Sequence, residues 1–128
     1  MGPIVLQVPG ITAHASTQPL RMYAHCTAGT ANGSVTVSFS NMDESVTFTV
    51  ETVALPGPHV EYHLTRANQT LAMQEARQMA LNNVTLRSAA APAFVPALPG
   101  KWGTGAVSIA PASLGWVTFP GAMAKACM

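Results

Sequence analysis

Short runs of β-branched and apolar residues, separated by Gly, Pro and Asn, follow one another along the chain. This pattern is typical of strands joined by turns. The clearest run covers residues 34–39, and the next covers residues 45–53. In the second run Val46 and Phe48 alternate with polar residues, which predicts a strand with one buried and one solvated face. Because residues 40–44 are turn material, we expect the two runs to form an antiparallel hairpin.

Four further runs also predict strands. They cover residues 20–27, 60–65, 106–110 and 113–119. In the first of them, alternation places Leu20, Met22, Ala24 and Cys26 on one face. By contrast, residues 89–105 contain three prolines and three glycines. Such a composition predicts an irregular connection over the surface.

One segment does not follow the strand pattern. Residues 70–82 are rich in Ala, Met, Leu, Gln, Glu and Arg, which favour helices. The sequence leaves a short helix and an extended strand equally open here. The many short strands and frequent turns elsewhere favour an all-β fold over an α/β fold. We therefore predict an antiparallel β-sandwich.

Composition narrows the functional classes. At 128 residues the chain is long enough for one domain with its own core. Hydrophobic residues make up 48% and charged residues 9%, which argues against a disordered tail or a coiled coil. The net charge is +1, and the six basic residues are scattered singly, which argues against nucleic-acid binding. No apolar run approaches the ~20 residues that span a bilayer.

The chain also carries signals for its cellular route. Residues 1–11 are apolar but lack a basic region and contain two prolines, so they do not resemble a signal peptide. Three Asn-x-Ser/Thr sequons, at Asn32, Asn68 and Asn83, are predicted N-glycosylation sites and favour the secretory route. We interpret residues 1–128 as a fragment of a longer protein whose upstream part carries the signal.

Three stretches resemble the C-terminal region of heparanase and its relatives in glycoside hydrolase family 79. The first is LRMYAHCT at residues 20–27, similar to the family's Leu-Arg-Val-Tyr-x-His-Cys-Thr strand. The second, residues 62–86, resembles a Tyr-x-Leu stretch that leads into a Leu-Asn-Gly turn, which reads Leu-Asn-Asn here. The third, VSIAPASLGWVTFPGAMAKACM at residues 107–128, is similar to the family's Ala-Pro-x-Ser strand and its Ala-Cys ending.

The resemblance implies a complete architecture. Residues 1–128 would be a single C-terminal, eight-stranded β-sandwich packed on the (β/α)8 barrel of the same parent protein. The parent would be a secreted enzyme, extracellular or lysosomal, that hydrolyses β-D-glucuronosyl bonds in glycosaminoglycan or proteoglycan glycans. The family's two catalytic glutamates lie in the barrel. We therefore expect no catalytic residue, no cofactor and no metal in this chain, and no activity from it alone.

Cys26 and Cys127 are the only cysteines. The resemblance implies a disulfide between them, because the family pairs cysteines at these two positions. It would close a loop of about 100 residues, worth on the order of 4–5 kcal/mol in the chain-entropy model. From composition alone, two free thiols remain the alternative. Zinc binding needs about four ligands, which two cysteines do not supply.

The remaining polar residues suggest no chemistry. The carboxylates, interpreted as surface charges without shifted pKa values, are Asp43, Glu44, Glu51, Glu61 and Glu75. On an extended run His59 and His63 would lie roughly 13 Å apart at ~3.3 Å per residue, so we expect no shared metal.

The aromatic residues allow two interpretations. Tyr23, Tyr62, Trp102 and Trp116 are numerous enough for a sugar-stacking platform. We assign Tyr23 and Trp116 instead to core or inter-domain packing, and Trp102 to an exposed loop that contacts the barrel. The alternative functions are therefore an autonomous carbohydrate-binding module, or the appended sandwich of another barrel glycosidase such as an arabinofuranosidase.

Overall fold

The computed structural model describes residues 5–6, 19–29, 32–52, 55, 57–72, 75–87 and 98–128. The strands in these ranges are β1 (Val5–Leu6), β2 (Leu20–Cys26), β3 (Val35–Asn41), β4 (Phe48–Val50), β5 (His59–Arg66), β6 (Met79–Leu81), β7 (Val84–Thr85), β8 (Lys101–Gly103), β9 (Val107–Ile109) and β10 (Ser113–Phe119). A 3-10 turn, Lys125–Cys127, follows β10. Every strand pairing is antiparallel, which confirms the predicted all-β class.

The described strands form two sheets of very different size. Eight strands make up the larger sheet, in the order β1-β2-β3-β10-β5-β6-β7, with β8 also paired to β5. One edge of β5 pairs with β10, while the other pairs with β8 at residues 59–61 and with β6 at residues 64–66. The smaller sheet contains β4 and β9. β10 therefore lies at the centre of the larger sheet.

The hydrophobic core lies between the two sheets. Its buried members are Ala24, Cys26, Val35, Val37, Phe39, Val107, Ile109, Val117, Phe119 and Cys127. Ala24, Val37 and Val117 are direct neighbours across three adjacent strands, so their side chains share the inward face. Phe48 and Val50 of the smaller sheet pack against this cluster. Because two apolar sheet faces cover each other, the architecture is a β-sandwich.

The alternation predicted for residues 20–27 is confirmed. Ala24 and Cys26 are buried, and Leu20 and Met22 pack against the core, whereas Tyr23 is exposed. This period of two continues across β3 and β10, so the larger sheet has an inner face against the core and an outer face.

The predicted hairpin between residues 34–39 and 45–53 is wrong. β3 pairs with β2 on one edge and β10 on the other, so no edge is left for β4. The chain crosses to the smaller sheet instead, where β4 pairs with β9. Fully buried Asn41 secures this crossing, because its Nδ2 donates to Val46 O at 2.8 Å and Ala110 O at 2.9 Å. Val46, which we expected on a buried face, is exposed.

The segment that the sequence left open contains a strand. Residues 79–81 form β6, and a two-residue turn at Asn82 and Asn83 joins it to β7. Both asparagines have positive φ, 48° and 68°, a conformation that Asn tolerates better than most residues. Residues 73–74 lie outside the described part of the chain.

The irregular connection expected at residues 89–105 is wrong in one stretch, since Lys101–Gly103 forms β8. β8 pairs with residues 59–61 of β5, on the edge where β6 pairs only with residues 64–66. This pairing gives the backbone of β8 its hydrogen-bond partners. Residues 89–97 of that segment lie outside the described residues.

Candidate functional site

Cys26, at the end of β2, forms a disulfide with Cys127 in the C-terminal 3-10 turn. Their Cα atoms are 5.3 Å apart, and 101 positions separate them in sequence. Gly33 holds the turn in place, because its N–H donates to Cys127 O and its carbonyl accepts from Ala124 N. The disulfide implied by the resemblance is therefore present, and a disulfide is compatible with an extracellular location.

His59, Glu61 and His63 occupy alternate positions of β5 and so share the inner face of the sheet. His59 Nε2 is 2.9 Å from Glu61 Oε1, and His63 Nε2 is 2.7 Å from Glu61 Oε2. Because an ionised carboxylate can only accept hydrogen bonds, both imidazoles donate through Nε2. We call this arrangement, in which one carboxylate joins two imidazoles, the His–Glu–His bridge.

The bridge is shielded from solvent. His59 is fully buried, and the side chains of His63 and Glu61 are 15% and 16% exposed. The ring centroids of His59 and Phe119 are 5.2 Å apart, and those of His63 and Phe39 are 5.1 Å apart. The polar bridge is thus embedded among aromatic core residues, where its hydrogen bonds are stronger than in water.

Glu61 was interpreted from the sequence as a surface charge, and this is wrong. Burial raises the pKa of its carboxyl, but hydrogen bonds from His63 and His59 and electrostatic attraction to both outweigh burial, so the pKa lies below its usual range. His59 Nδ1 is buried and lacks a hydrogen-bond partner within the described residues.

The two histidines share one carboxylate, that of Glu61. Within the described ranges, no group of three or more His, Cys, Asp and Glu side chains could hold a metal. The bridge is therefore a hydrogen-bonded element of the fold.

The other carboxylates lie apart from the bridge. Asp43 closes the turn after β3, where its Oδ1 accepts from Ser45 N, Ser45 Oγ and Val46 N. These hydrogen bonds lower the pKa of Asp43, contrary to the expectation of no shift. The expected exposure of Glu44, Glu51 and Glu75 is confirmed. A glycosidase acid needs a raised pKa, and the pKa values of both Asp43 and Glu61 are lowered.

A row of aromatic residues crosses the outer face of the larger sheet. Register aligns Tyr23, Ser38, Trp116 and Tyr62 on four adjacent strands, and we call them the outer aromatic row. The rings of Tyr62 and Trp116 stack, with centroids 5.0 Å apart and planes 16° apart. Small Ser38 separates this stack from Tyr23, which is 52% exposed.

Two aromatic assignments from the sequence can now be judged. Trp102, 65% exposed, is a surface residue as predicted, although it belongs to strand β8. Tyr23 is not a core residue, because it lies on the outer face. Leu114, 46% exposed, lies on the same face as Trp116, two residues away. The outer face therefore presents apolar and aromatic side chains to solvent.

All three sequon asparagines, Asn32, Asn68 and Asn83, are exposed. Two of them line one cavity of about 420 Å³ between the end of β5 and the β6–β7 hairpin. We call it the Thr65 groove; its polar lining residues are Thr65, Arg66, Asn68, Gln69, Asn83 and Thr85. Asn32 lies elsewhere, three residues before β3 begins.

Sequence reasoning missed both the bridge and the groove. The bridge had a signal, because the His-x-Glu-x-His pattern of residues 59–63 overlaps the strand predicted at residues 60–65, and an extended chain places all three side chains on one face. The groove had none, since its two walls are brought together only by the pairing of β5 with β6.

Comparison with known proteins adds no assignment. No family model matches the chain, and no curated protein matches it. Among the described residues, no helix is long and apolar enough to cross a membrane.

Proposed function

We propose that this chain is the C-terminal β-sandwich of a heparanase-like endo-β-glucuronidase, and that its role in the parent enzyme is structural. The parent would be secreted, extracellular or lysosomal, and would hydrolyse β-D-glucuronosyl bonds in glycosaminoglycan or proteoglycan glycans. The chain itself would contribute no catalytic residue. Its partner would be the (β/α)8 barrel of the same protein, and glycan would be bound through the parent.

The observation that carries this proposal is the disulfide between Cys26 and Cys127. The resemblance rests on a strand near the start of the chain and on a tail near its end, 101 positions apart. These two motifs meet in space at their cysteines, as the resemblance implies. The all-β sandwich and the central position of β10, the strand of the third motif, support the same interpretation.

The outer face of the larger sheet supports the proposal that a barrel packs against this chain. Tyr23, Trp102 and Leu114 are all exposed on this face, and the stacked rings of Trp116 and Tyr62 lie on it as well. An exposed apolar patch of this kind marks a surface that another body covers. In the proposed parent, that body is the barrel.

The outer aromatic row also favours a second candidate, an autonomous carbohydrate-binding module. Sugar rings stack on exposed aromatic faces, and Tyr23 and Trp102 offer two of them. Against this candidate, Trp116 and Tyr62 already occupy one another's faces. The appended sandwich of another barrel glycosidase would share the architecture and differ in its upstream barrel.

Two measurements on the purified chain test these candidates. We expect no hydrolysis of a β-glucuronide substrate and no saturable binding of heparin oligosaccharides. Hydrolysis that is lost in Glu51→Gln or Glu61→Gln would overturn the non-catalytic role. Saturable binding that is lost in Tyr23→Ala, but kept in the outer-face control Thr118→Ala, would favour the carbohydrate-binding module.

The parent protein is tested separately by sequencing the gene upstream of Met1. We expect a (β/α)8 barrel with an Asn-Glu acid/base strand. A different barrel family there would favour the third candidate, and an upstream region without a barrel would contradict the proposal.

A further inference from the structure

The Thr65 groove has the size and chemistry of a site for a hydroxyl-rich ligand. Its volume of about 420 Å³ falls within the range of ligand clefts, roughly 300–1,000 Å³. Its walls offer hydroxyl, amide and guanidinium groups, and no carboxylate is among its lining residues. A smaller cavity of about 190 Å³ shares Thr65, Arg66 and Gln69 with it, so the groove continues towards the residues after β9, where the carboxylate of Glu44 borders it.

One buried hydroxyl in this groove lacks a partner. Thr65 is only 8% exposed, and its Oγ1 has no hydrogen-bond partner within the described part of the chain. Buried side-chain hydroxyls in native proteins nearly always have a partner. Thr65 lines both cavities, so a ligand in the groove can supply the missing hydrogen bond once the Thr65 side chain turns about χ1 and brings its buried hydroxyl to the groove surface.

A sequon asparagine stands at the rim of the same groove. Asn68 belongs to the sequon Asn-Gln-Thr, and its Oδ1 accepts from Thr70 N at 3.1 Å and from Thr70 Oγ1 at 2.7 Å. These bonds fix the plane of the side-chain amide through its oxygen. The atom that carries an N-linked glycan is the amide nitrogen, Nδ2, which these two bonds leave free.

We infer that the Thr65 groove holds the first N-acetylglucosamine of an N-linked glycan on Asn68. Thr65 Oγ1 forms a hydrogen bond with that sugar, and Thr85, aligned with Thr65 across β6 on the same sheet face, lines the groove beside it. A sugar with hydroxyl and acetamido groups both donates and accepts hydrogen bonds, as does this lining. The inference rests on the secretory route of the proposed function.

Asn32 provides a matched control within the same chain. It carries the sequon Asn-Gly-Ser and is exposed, but it does not line the groove. Its Ser34 is buried, and the single Ser34 Oγ proton is within hydrogen-bond distance of two acceptors, Asn32 Oδ1 at 2.5 Å and Pro120 O at 3.0 Å. Asn32 is therefore a sequon asparagine outside the Thr65 groove.

The test is the rate at which an endoglycosidase cuts between the first two sugars. The chain is produced in a eukaryotic secretory host, and site-specific cleavage is followed by glycopeptide mass spectrometry. In the native protein we expect cleavage at Asn68 to be at least about fivefold slower than at Asn32, the factor that one net hydrogen bond supplies. After denaturation and reduction the two rates should be equal.

Variants of Thr65 identify the hydrogen bond. Thr65→Val removes the hydroxyl at nearly constant volume and should abolish the protection at Asn68, whereas Thr65→Ser should keep it. Cleavage at Asn32 should not change in either variant. In protein from a host without glycosylation, Thr65→Val should not lower the urea midpoint, because the hydroxyl has no partner there.

The outcomes separate this inference from the proposed function. Absence of glycan from all three sequons would contradict the secretory route itself. Glycan at Asn32 together with an unoccupied Asn68 would contradict only the groove inference. So would equal native rates at the two sites, or protection that survives Thr65→Val.

Discussion

Gly103 is the direct partner of His59 in the β5–β8 ladder, and a Cβ at position 103 would lie 2.8 Å from His59 Nε2. The same Cβ would also contact Glu61 Oε1. Both atoms belong to the His–Glu–His bridge, whose imidazoles are packed against aromatic core residues and have little room to move. A glycine at this position lets β8 pair closely alongside the bridge.

Gly103→Ala should therefore destabilise the fold. We expect the free energy of unfolding to fall by about 1–3 kcal/mol, because the added methyl group must displace a buried hydrogen-bonded side chain. The measurement is urea denaturation followed by circular dichroism. Gly121→Ala is the matched control, since a Cβ there meets no atom within 4 Å. An equal loss in the two variants would contradict this account of Gly103.

Stability should fall in acid because of Glu61. Its pKa in the folded state lies below the ordinary value of 4.5, so the contribution is fully present above that value. It is lost as the pH falls through the lowered folded pKa. Urea midpoints measured from about pH 6 to about pH 3 should show this decline, and Glu61→Gln should flatten it.

Asp43 provides the comparison for that experiment. Its pKa is also lowered, from an ordinary value of 3.8 against 4.5 for Glu61, so the loss of its contribution begins at a lower pH. Asp43→Asn should leave the first part of the decline unchanged and flatten the later part. If Glu61→Gln kept the whole wild-type decline, the bridge would not be its source.

The disulfide should contribute strongly to stability. Replacing both cysteines, Cys26→Ala with Cys127→Ala, should lower the free energy of unfolding by about 4–5 kcal/mol, because the unfolded chain is no longer closed into a loop. Urea denaturation with and without a reductant measures this. Reductant should lower the midpoint of the wild-type protein and leave that of the double variant unchanged. A small loss in the wild type would show that the long loop does not restrict the unfolded chain.

Asn41→Ala should weaken the crossing between the two sheets. The variant leaves Val46 O without its side-chain donor and removes one of the two donors to Ala110 O, which keeps Ser113 Oγ, a loss of about 1–3 kcal/mol. Met42→Ala is the control at the neighbouring position. Because Met42 is exposed, this substitution should change the free energy of unfolding by less than about 0.5 kcal/mol. Near-equal denaturation curves for the two variants would contradict the role of Asn41.

The sequence predicted individual strands well because period-two alternation is a local signal. Residues 113–119 match β10, and β2, β3, β5 and β9 lie within one or two residues of their predicted bounds. The sequence did not predict which strands pair with each other, because pairing depends on residues that are far apart in the chain. Nothing local to residues 34–53 indicates that β10 occupies the edge of β3, so proximity in sequence favoured the wrong hairpin.

The candidate sites likewise fall into those that could be predicted from the sequence and those that depend on contacts between distant strands. The disulfide followed from the resemblance, and the exposure of Trp102 followed from its flanking glycines and prolines. The burial of Glu61 could not be predicted, because it depends on β8 and on the aromatic core on either side of β5. Alternation left Tyr23 open between the core and inter-domain packing, because it defines two faces without indicating which one faces the core, and the structure excludes only the core.

β10 follows the other nine strands in sequence, yet it lies between β3 and β5. During synthesis, the edges of β3 and β5 that pair with β10 therefore remain unpaired until residues 113–119 leave the ribosome. Such edges are templates for association between nascent chains. Folding of this sheet is consequently a late event that depends on long-range pairing, and any truncation before residue 113 divides the sheet in two.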